Sequence, residues 1–180
     1  DTPRGTCLEG AYIEDIRALG KADLSFDVCL RPTEICDAVA LAEACPDTLL
    51  ILDHCGNADP HIVATNGDDL DEENPFSHTA AQWLADMDAL GRKSNVVCKV
   101  SGIVARVQTG WTAETLAPTV NHCLDSFGPD RVVFGGDWPV CTLGASYAEW
   151  ASALRQIISA RPDEEQRKLL ADNAARIYKV

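Results

Sequence analysis

Basic residues are scarce in this chain of 180 residues: 15 lysines and arginines stand against 28 acidic residues, a net charge of −13. That balance excludes the electrostatics of nucleic-acid binding and of docking on an anionic membrane surface. No apolar stretch approaches the roughly 20 residues of a membrane helix, and no signal-like segment opens the chain. Nucleotide fingerprints are missing too. No G-x-G-x-x-G follows a strand, there is no Walker-type loop, and no G-x-S-x-G elbow for serine hydrolysis is present. The acidic run Asp68-Asp69-Leu70-Asp71-Glu72-Glu73 lacks the glycine and ligand spacing of a calcium loop and reads as a solvated segment. Low-complexity tracts and internal repeats are absent.

Eight cysteines are present, but none forms a C-x-x-C pair, and no Asn-x-Ser/Thr sequon accompanies them. Cys29 and Cys98 fall in predicted strands, and Cys36, Cys45 and Cys123 on predicted helices. Free cysteine behaves as a small apolar residue, so the pattern predicts a reduced, cytoplasmic protein. The first residue is Asp1 rather than methionine, which predicts a processed chain or a piece of a longer one.

Short apolar runs alternate with longer amphipathic stretches. Strands are expected over Leu24–Leu30, Thr48–Asp53, Asn95–Val100 and Arg131–Gly135. Helices are expected at Cys7–Leu19, after Thr33, after Ser77, over Thr112–Ser126, after a Ser146/Glu149 capping box, and from Asp163 with Gln166 in the reciprocal position. Cys55–Phe76 reads largely as a polar loop. Four successive strand–helix units imply an α/β protein with parallel strands.

In such folds ligands sit at the carboxyl ends of the strands, and polar groups delivered there mark a site or a satisfied turn. The second strand runs into Asp53-His54-Cys55-Gly56, the third ends in Lys99-Val100-Ser101-Gly102, and the fourth runs into Gly135-Gly136-Asp137-Trp138-Pro139. Asp137 is a candidate general base or the cap of a turn. His54 could ligate a metal, donate to a developing oxyanion, or be a core histidine satisfied by a neighbour. Side chains of adjacent strand residues point to opposite faces, so only one of Asp53 and His54 is expected to face the centre. Lys99 suits a site or a pairing with a nearby carboxylate. Arg31 and Trp138 suit a substrate carboxylate or sugar face, or plain packing. His61, His78 and His122 receive no role.

Phe26-Asp27-Val28-Cys29, Leu52-Asp53-His54-Cys55-Gly56, Lys99-Val100-Ser101-Gly102, Phe127-Gly128-Pro129-Asp130-Arg131, Phe134-Gly135-Gly136-Asp137-Trp138-Pro139 and Asn173-Ala174-Ala175-Arg176-Ile177-Tyr178 occur in that order. In this set the chain resembles the amidohydrolase-related family, and within it the sugar-lactone hydrolases of fuconolactonase and rhamnonolactonase type. The resemblance runs from about Leu8 to the carboxyl terminus. It implies a (β/α)8 TIM-type barrel of which only about the last four β/α units are present. Residues 1–180 would then be the carboxyl-terminal part of a single barrel domain, a fragment or a truncated gene product. A His-x-His pair that family members carry after the first strand is missing, and a barrel of about 250 residues exceeds this chain.

By the same resemblance Asp137 would activate the hydrolytic water and His54 would bind a metal or polarise the substrate carbonyl. Lys99, Ser101 and Trp138, which belong to the family motifs, would line the substrate site, and Arg31 is added as a substrate-binding candidate on its side-chain chemistry alone. One divalent metal, zinc first, would be held by His54 and Asp137, although some members of this branch work without metal. The expected activity is hydrolysis of a sugar-derived lactone. A metal-dependent decarboxylase of the same superfamily and an inactive binding or oligomerising module are the alternatives. Expected partners are a small-molecule substrate and, to close the open sheet edges, a second copy of the chain or the missing amino-terminal half of the barrel, with no nucleic acid and no membrane.

Overall fold

Four short parallel strands lie side by side in the order in which they occur in the chain. The computed structural model describes residues 2–69, 73–107 and 110–180. Strands β1 (Phe26–Val28), β2 (Leu50–Leu52), β3 (Val96–Val100) and β4 (Val132–Phe134) form one sheet in that order. The register places Val28 beside Leu52, Leu52 beside Cys98, and Cys98 beside Val132. The first, second and fourth strands are shorter than their apolar runs suggested. Ladder bonds persist one residue beyond the strand, with Asp53 N–H donating to the Val28 carbonyl and Gly135 N–H to that of Val100. After that the chain turns away from the sheet plane.

The two faces follow the period of two. Val28, Leu50, Leu52, Cys98, Val100 and Val132 face the main core. Helices α1 (Gly10–Lys21), α2 (Ile35–Ala44), α3 (Ala80–Gly91), α4 (Ala113–Phe127) and α5 (Tyr147–Ile157) supply the rest of it. Ile35, Leu41, Trp83, Met87, Leu116, Trp150 and Leu154 are fully buried there. Ile51, Val97 and Val133 point the other way, where Ile177 covers them. The terminal helical segment, Asp163–Arg167, a π turn over Lys168–Asp172, and Asn173–Tyr178, delivers that residue. Asn173 fastens it by donating to the Pro129 and Val132 carbonyls, both at 2.8 Å. Four β/α units on a sheet whose second face carries inward-pointing residues make half of a (β/α)8 barrel.

Several helix starts differ from expectation. A ribbon pairs His78–Thr79 antiparallel with Asp68–Asp69, so the cap of α3 is Thr79, which accepts from Gln82 N–H, and not Ser77. The stretch expected as loop holds a helix over Pro60–Thr65, capped by Asp59. A 3-10 turn, Pro32–Glu34, precedes α2 and moves its entry upstream of Thr33 to Arg31. Asp163 is the first helical residue after Pro162, without reciprocal capping, because the Gln166 side chain donates to the Arg161 carbonyl. The Ser146/Glu149 box forms as expected. All eight cysteines are free, but Cys29 and Cys36 are exposed rather than buried. Part of the acidic run, 70–72, lies outside the described residues. No helix among the described residues is long and apolar enough to cross a membrane.

Candidate active site

Beyond β2 the backbone turns left-handed for four residues, with φ of 55° at His54, 53° at Cys55, 64° at Gly56 and 58° at Asn57. Each non-glycine residue pays roughly 1–2 kcal/mol for this conformation. Gly56 is exempt, and a Cβ there would lie 2.6 Å from the Ile35 side chain. Three bonds hold the turn: Gly56 N–H to the Asp53 carbonyl, Trp83 Nε1–H to the Cys55 carbonyl at 3.0 Å, and Asn57 Nδ2–H to the Leu30 carbonyl at 2.8 Å. Its geometric effect overturns the alternation argument. The left-handed residue after Asp53 reverses the usual opposition of neighbours, so Asp53 and His54 both line one cleft.

His54 meets groups from the next two strand ends. Its Nδ1 lies 2.9 Å from Oγ of the buried Ser101 and 4.0 Å from Oδ2 of Asp137. Gly102, at φ 70°, makes room: a Cβ there would sit 2.6 Å from the same nitrogen. Asp137 is itself left-handed, φ 51°, a strained setting that recurs at functional sites. His54, Ser101 and Asp137 open on a cleft of about 360 Å³ together with Lys99 and Tyr178. His54 and Asp137 also border an adjoining cavity of about 240 Å³ with Cys29, Asn57 and Arg106. Engaging Nδ1 with Ser101 fixes the imidazole and leaves Nε2 without a hydrogen-bond partner among the described residues.

Lys99 forms ion pairs with Asp27 and, at 2.7 Å, with Asp53. Burial pulls its pKa down, but the two carboxylates outweigh this and hold it above the ordinary lysine value. A lysine so placed is an electrostatic anchor, not a proton donor at neutral pH. Arg31 is not brought to His54. It pairs with Glu34 at 3.3 Å and lines a further cavity near Thr6 and Tyr12, which shares Cys29, Asn57 and Arg106 with the one beside His54 and Asp137. Trp138 is 73% exposed and borders neither the cleft nor the cavity beside it.

Sequence reasoning passed over Arg106 and Asn57. Arg106 donates to Asn57 Oδ1 through Nε at 3.1 Å and through Nη2 at 2.7 Å, and its guanidinium stacks 3.6 Å above the Phe76 ring. Burial lowers its pKa, while charges that include the Asp137 carboxylate act the other way. Its place, in the turn that leaves β3, was the available signal.

A metal needs donors of the right kind and number. Cys29, Asp53 and His54 each offer one ligand atom within 4.8 Å of the others, and Asp137 is not among these three. Thiolate, carboxylate and imidazole are the donors zinc takes, so the residues present fit a zinc ion.

The comparisons with known proteins bear on the family and the fold. An L-fucono-1,5-lactonase of Burkholderia multivorans is 33% identical over 87% of this chain and 51% of its own length. That of Burkholderia ambifaria is 27% identical, over 92% of this chain and 53% of its own. The chain thus spans about half the length of these curated relatives. A crystal structure of an amidohydrolase from Burkholderia multivorans with bound zinc superposes with a TM-score of 0.85 at 29% identity, over 98% of this chain and 60% of that one. The Amidohydrolase family model matches residues 12–180. Half-barrel, strand-end polar groups and family match coincide: this chain belongs to the amidohydrolase family.

Proposed function

We propose that the cleft at the strand ends is the hydrolytic site of a lactonase acting on a sugar-derived cyclic ester. The observation that carries this reading is the convergence of His54 and Asp137, 83 positions apart in the chain, on one cleft with Nδ1 and Oδ2 4.0 Å from each other. The likeness to lactonases supports it. Asp137 takes a proton from the attacking water. Without a metal, the imidazole of His54, oriented by Ser101, presents Nε2 to the ester carbonyl as negative charge develops there. A zinc ion held at this site would polarise that carbonyl as a Lewis acid. Hydrolysis without metal is the other branch of the same reading, because an ester alkoxide leaves more readily than an amine. Arg106, beside Asp137, suits the carboxylate that ring opening releases. Lys99 keeps Asp53 and Asp27 neutralised at the back of the cleft. A second copy of the chain or an amino-terminal half-barrel would complete the open sheet edges.

A panel of aldonolactones and hydroxybenzoic acids, assayed with and without zinc, tests the proposal. Lactone opening that falls about 100-fold or more in Asp137→Asn, the range of a lost general base, is expected. Decarboxylation of the acids without lactone turnover would transfer the site to the decarboxylase branch. A chain inert towards both panels, yet a defined dimer, would make it a binding module.

A further inference from the structure

We propose that Cys29 supplies a thiolate to a divalent-metal site completed by Asp53 and His54, distinct from any ligation by Asp137. The site stands on its own donor atoms and does not require that the cleft hydrolyse a lactone. Sγ of Cys29, a carboxylate oxygen of Asp53 and a ring nitrogen of His54 lie within 4.8 Å of one another. Their positions are set by rigid elements. Cys29 directly follows β1 and Asp53 directly follows β2, and these ends are tied by the Asp53 N–H bond to the Val28 carbonyl at 2.9 Å. The left-handed backbone at His54 turns the imidazole back toward its own neighbour, so two consecutive residues serve one site.

The donor set has a chemical preference. A thiolate beside an imidazole and one carboxylate selects zinc or cobalt over magnesium or calcium, which take oxygen ligands. Cys29 is exposed, which gives an ion a path of entry. Asn57 Nδ2 donates to Sγ at 3.5 Å, the kind of outer contact that orients a ligand. Lys99 sits 2.7 Å from Oδ1 of Asp53 and holds that carboxylate in place. Three protein donors would match the ligand count of catalytic rather than structural zinc. Asp137 would stay free as a base.

Cobalt(II) titration of the whole chain tests the site without any substrate. One equivalent should bind with a near-ultraviolet thiolate-to-cobalt charge-transfer band. Cys29→Ser should abolish the band and weaken binding by more than about 100-fold, beyond the range that loss of an outer contact typically costs. Cys36→Ser, which removes the other exposed thiol, should leave both unchanged. Asp137→Asn should keep the band. In the unsubstituted chain, zinc should slow alkylation of Cys29 by iodoacetamide and leave Cys36 as reactive as before. A band that survives Cys29→Ser, binding lost in Asp137→Asn but kept in Cys29→Ser, or Cys29 alkylated equally fast with zinc present, would each overturn the proposal. None of these outcomes decides whether a lactone is turned over, so the two readings fail separately.

Discussion

At the scale of single residues, the placement of the imidazole rests on what is absent beside it. Gly102 has no side chain, and that void holds the His54 ring. In Gly102→Ala the new methyl meets Nδ1 and the residue is forced to keep a positive φ of 70°. We expect a loss of more than about 1 kcal/mol, measured by urea unfolding, and broken contact between His54 and Ser101, seen as a shifted imidazole resonance. Unchanged stability and resonance would mean that the ring does not lie against Gly102. Lys99 lends itself to a pH test. Its pKa is raised in the fold, so its stabilising contribution is complete below the free-lysine value of about 10.4 and lost only as pH climbs through the higher folded value. Lys99→Met should therefore cost roughly 1–3 kcal/mol, evenly from pH 7 to about 9, with the deficit shrinking only in stronger alkali. A deficit that varied strongly between pH 7 and about 9 would assign the effect to another group.

At the scale of elements, one amide joins the terminal helical segment to the sheet. Asn173 is buried and donates to two carbonyls, that of Pro129 in the turn before β4 and that of Val132 at its start. Asn173→Ala orphans both, and we expect about 2 kcal/mol lost in urea unfolding, with amide exchange of Asn173–Tyr178 accelerated first. Equal protection of that segment in both proteins would count against this fastening. The elements themselves were largely legible. The alternation of apolar runs and amphipathic stretches yields four β/α units, because strand and helix periods differ and both faces of a parallel sheet are covered. Ser146 caps the helix it was expected to cap, and the helix expected from Thr112 starts at Ala113. What could not be read is conformational or long-range. Nothing in His54-Cys55-Gly56-Asn57 except the glycine announces a left-handed turn, and the ribbon that displaces the α3 cap depends on pairing with a distant segment. Motif wording carried the resemblance, but Trp138 belonged to it without reaching the cleft, and Arg31, a candidate on its charge alone, does not reach it either. Arg106 and Cys29 reach the adjoining cavity without having been singled out for it. Side-chain direction depends on tertiary turns that a linear pattern does not encode.

At the scale of the molecule, the net charge of −13 makes self-repulsion a global cost of compactness. Raising salt from about 0.01 to about 0.15 M shortens the screening length from roughly 30 to 8 Å. We expect the melting temperature to rise by about 2–4 °C, the equivalent of roughly 1 kcal/mol for a chain of this size. A flat or falling melting temperature would show that attractive pairs such as Arg161–Asp125 and Lys168–Asp130 outweigh the repulsion. The sheet's strand order also sets a timetable. Space repeats chain order, so each strand leaving a ribosome finds its neighbour already laid down, and growth advances along one edge. The imidazole and its hydroxyl partner can dock while the aspartate is still inside the exit tunnel. β4 would therefore complete the cleft, and a nascent chain halted before it would hold His54 against Ser101 with no aspartate beside it.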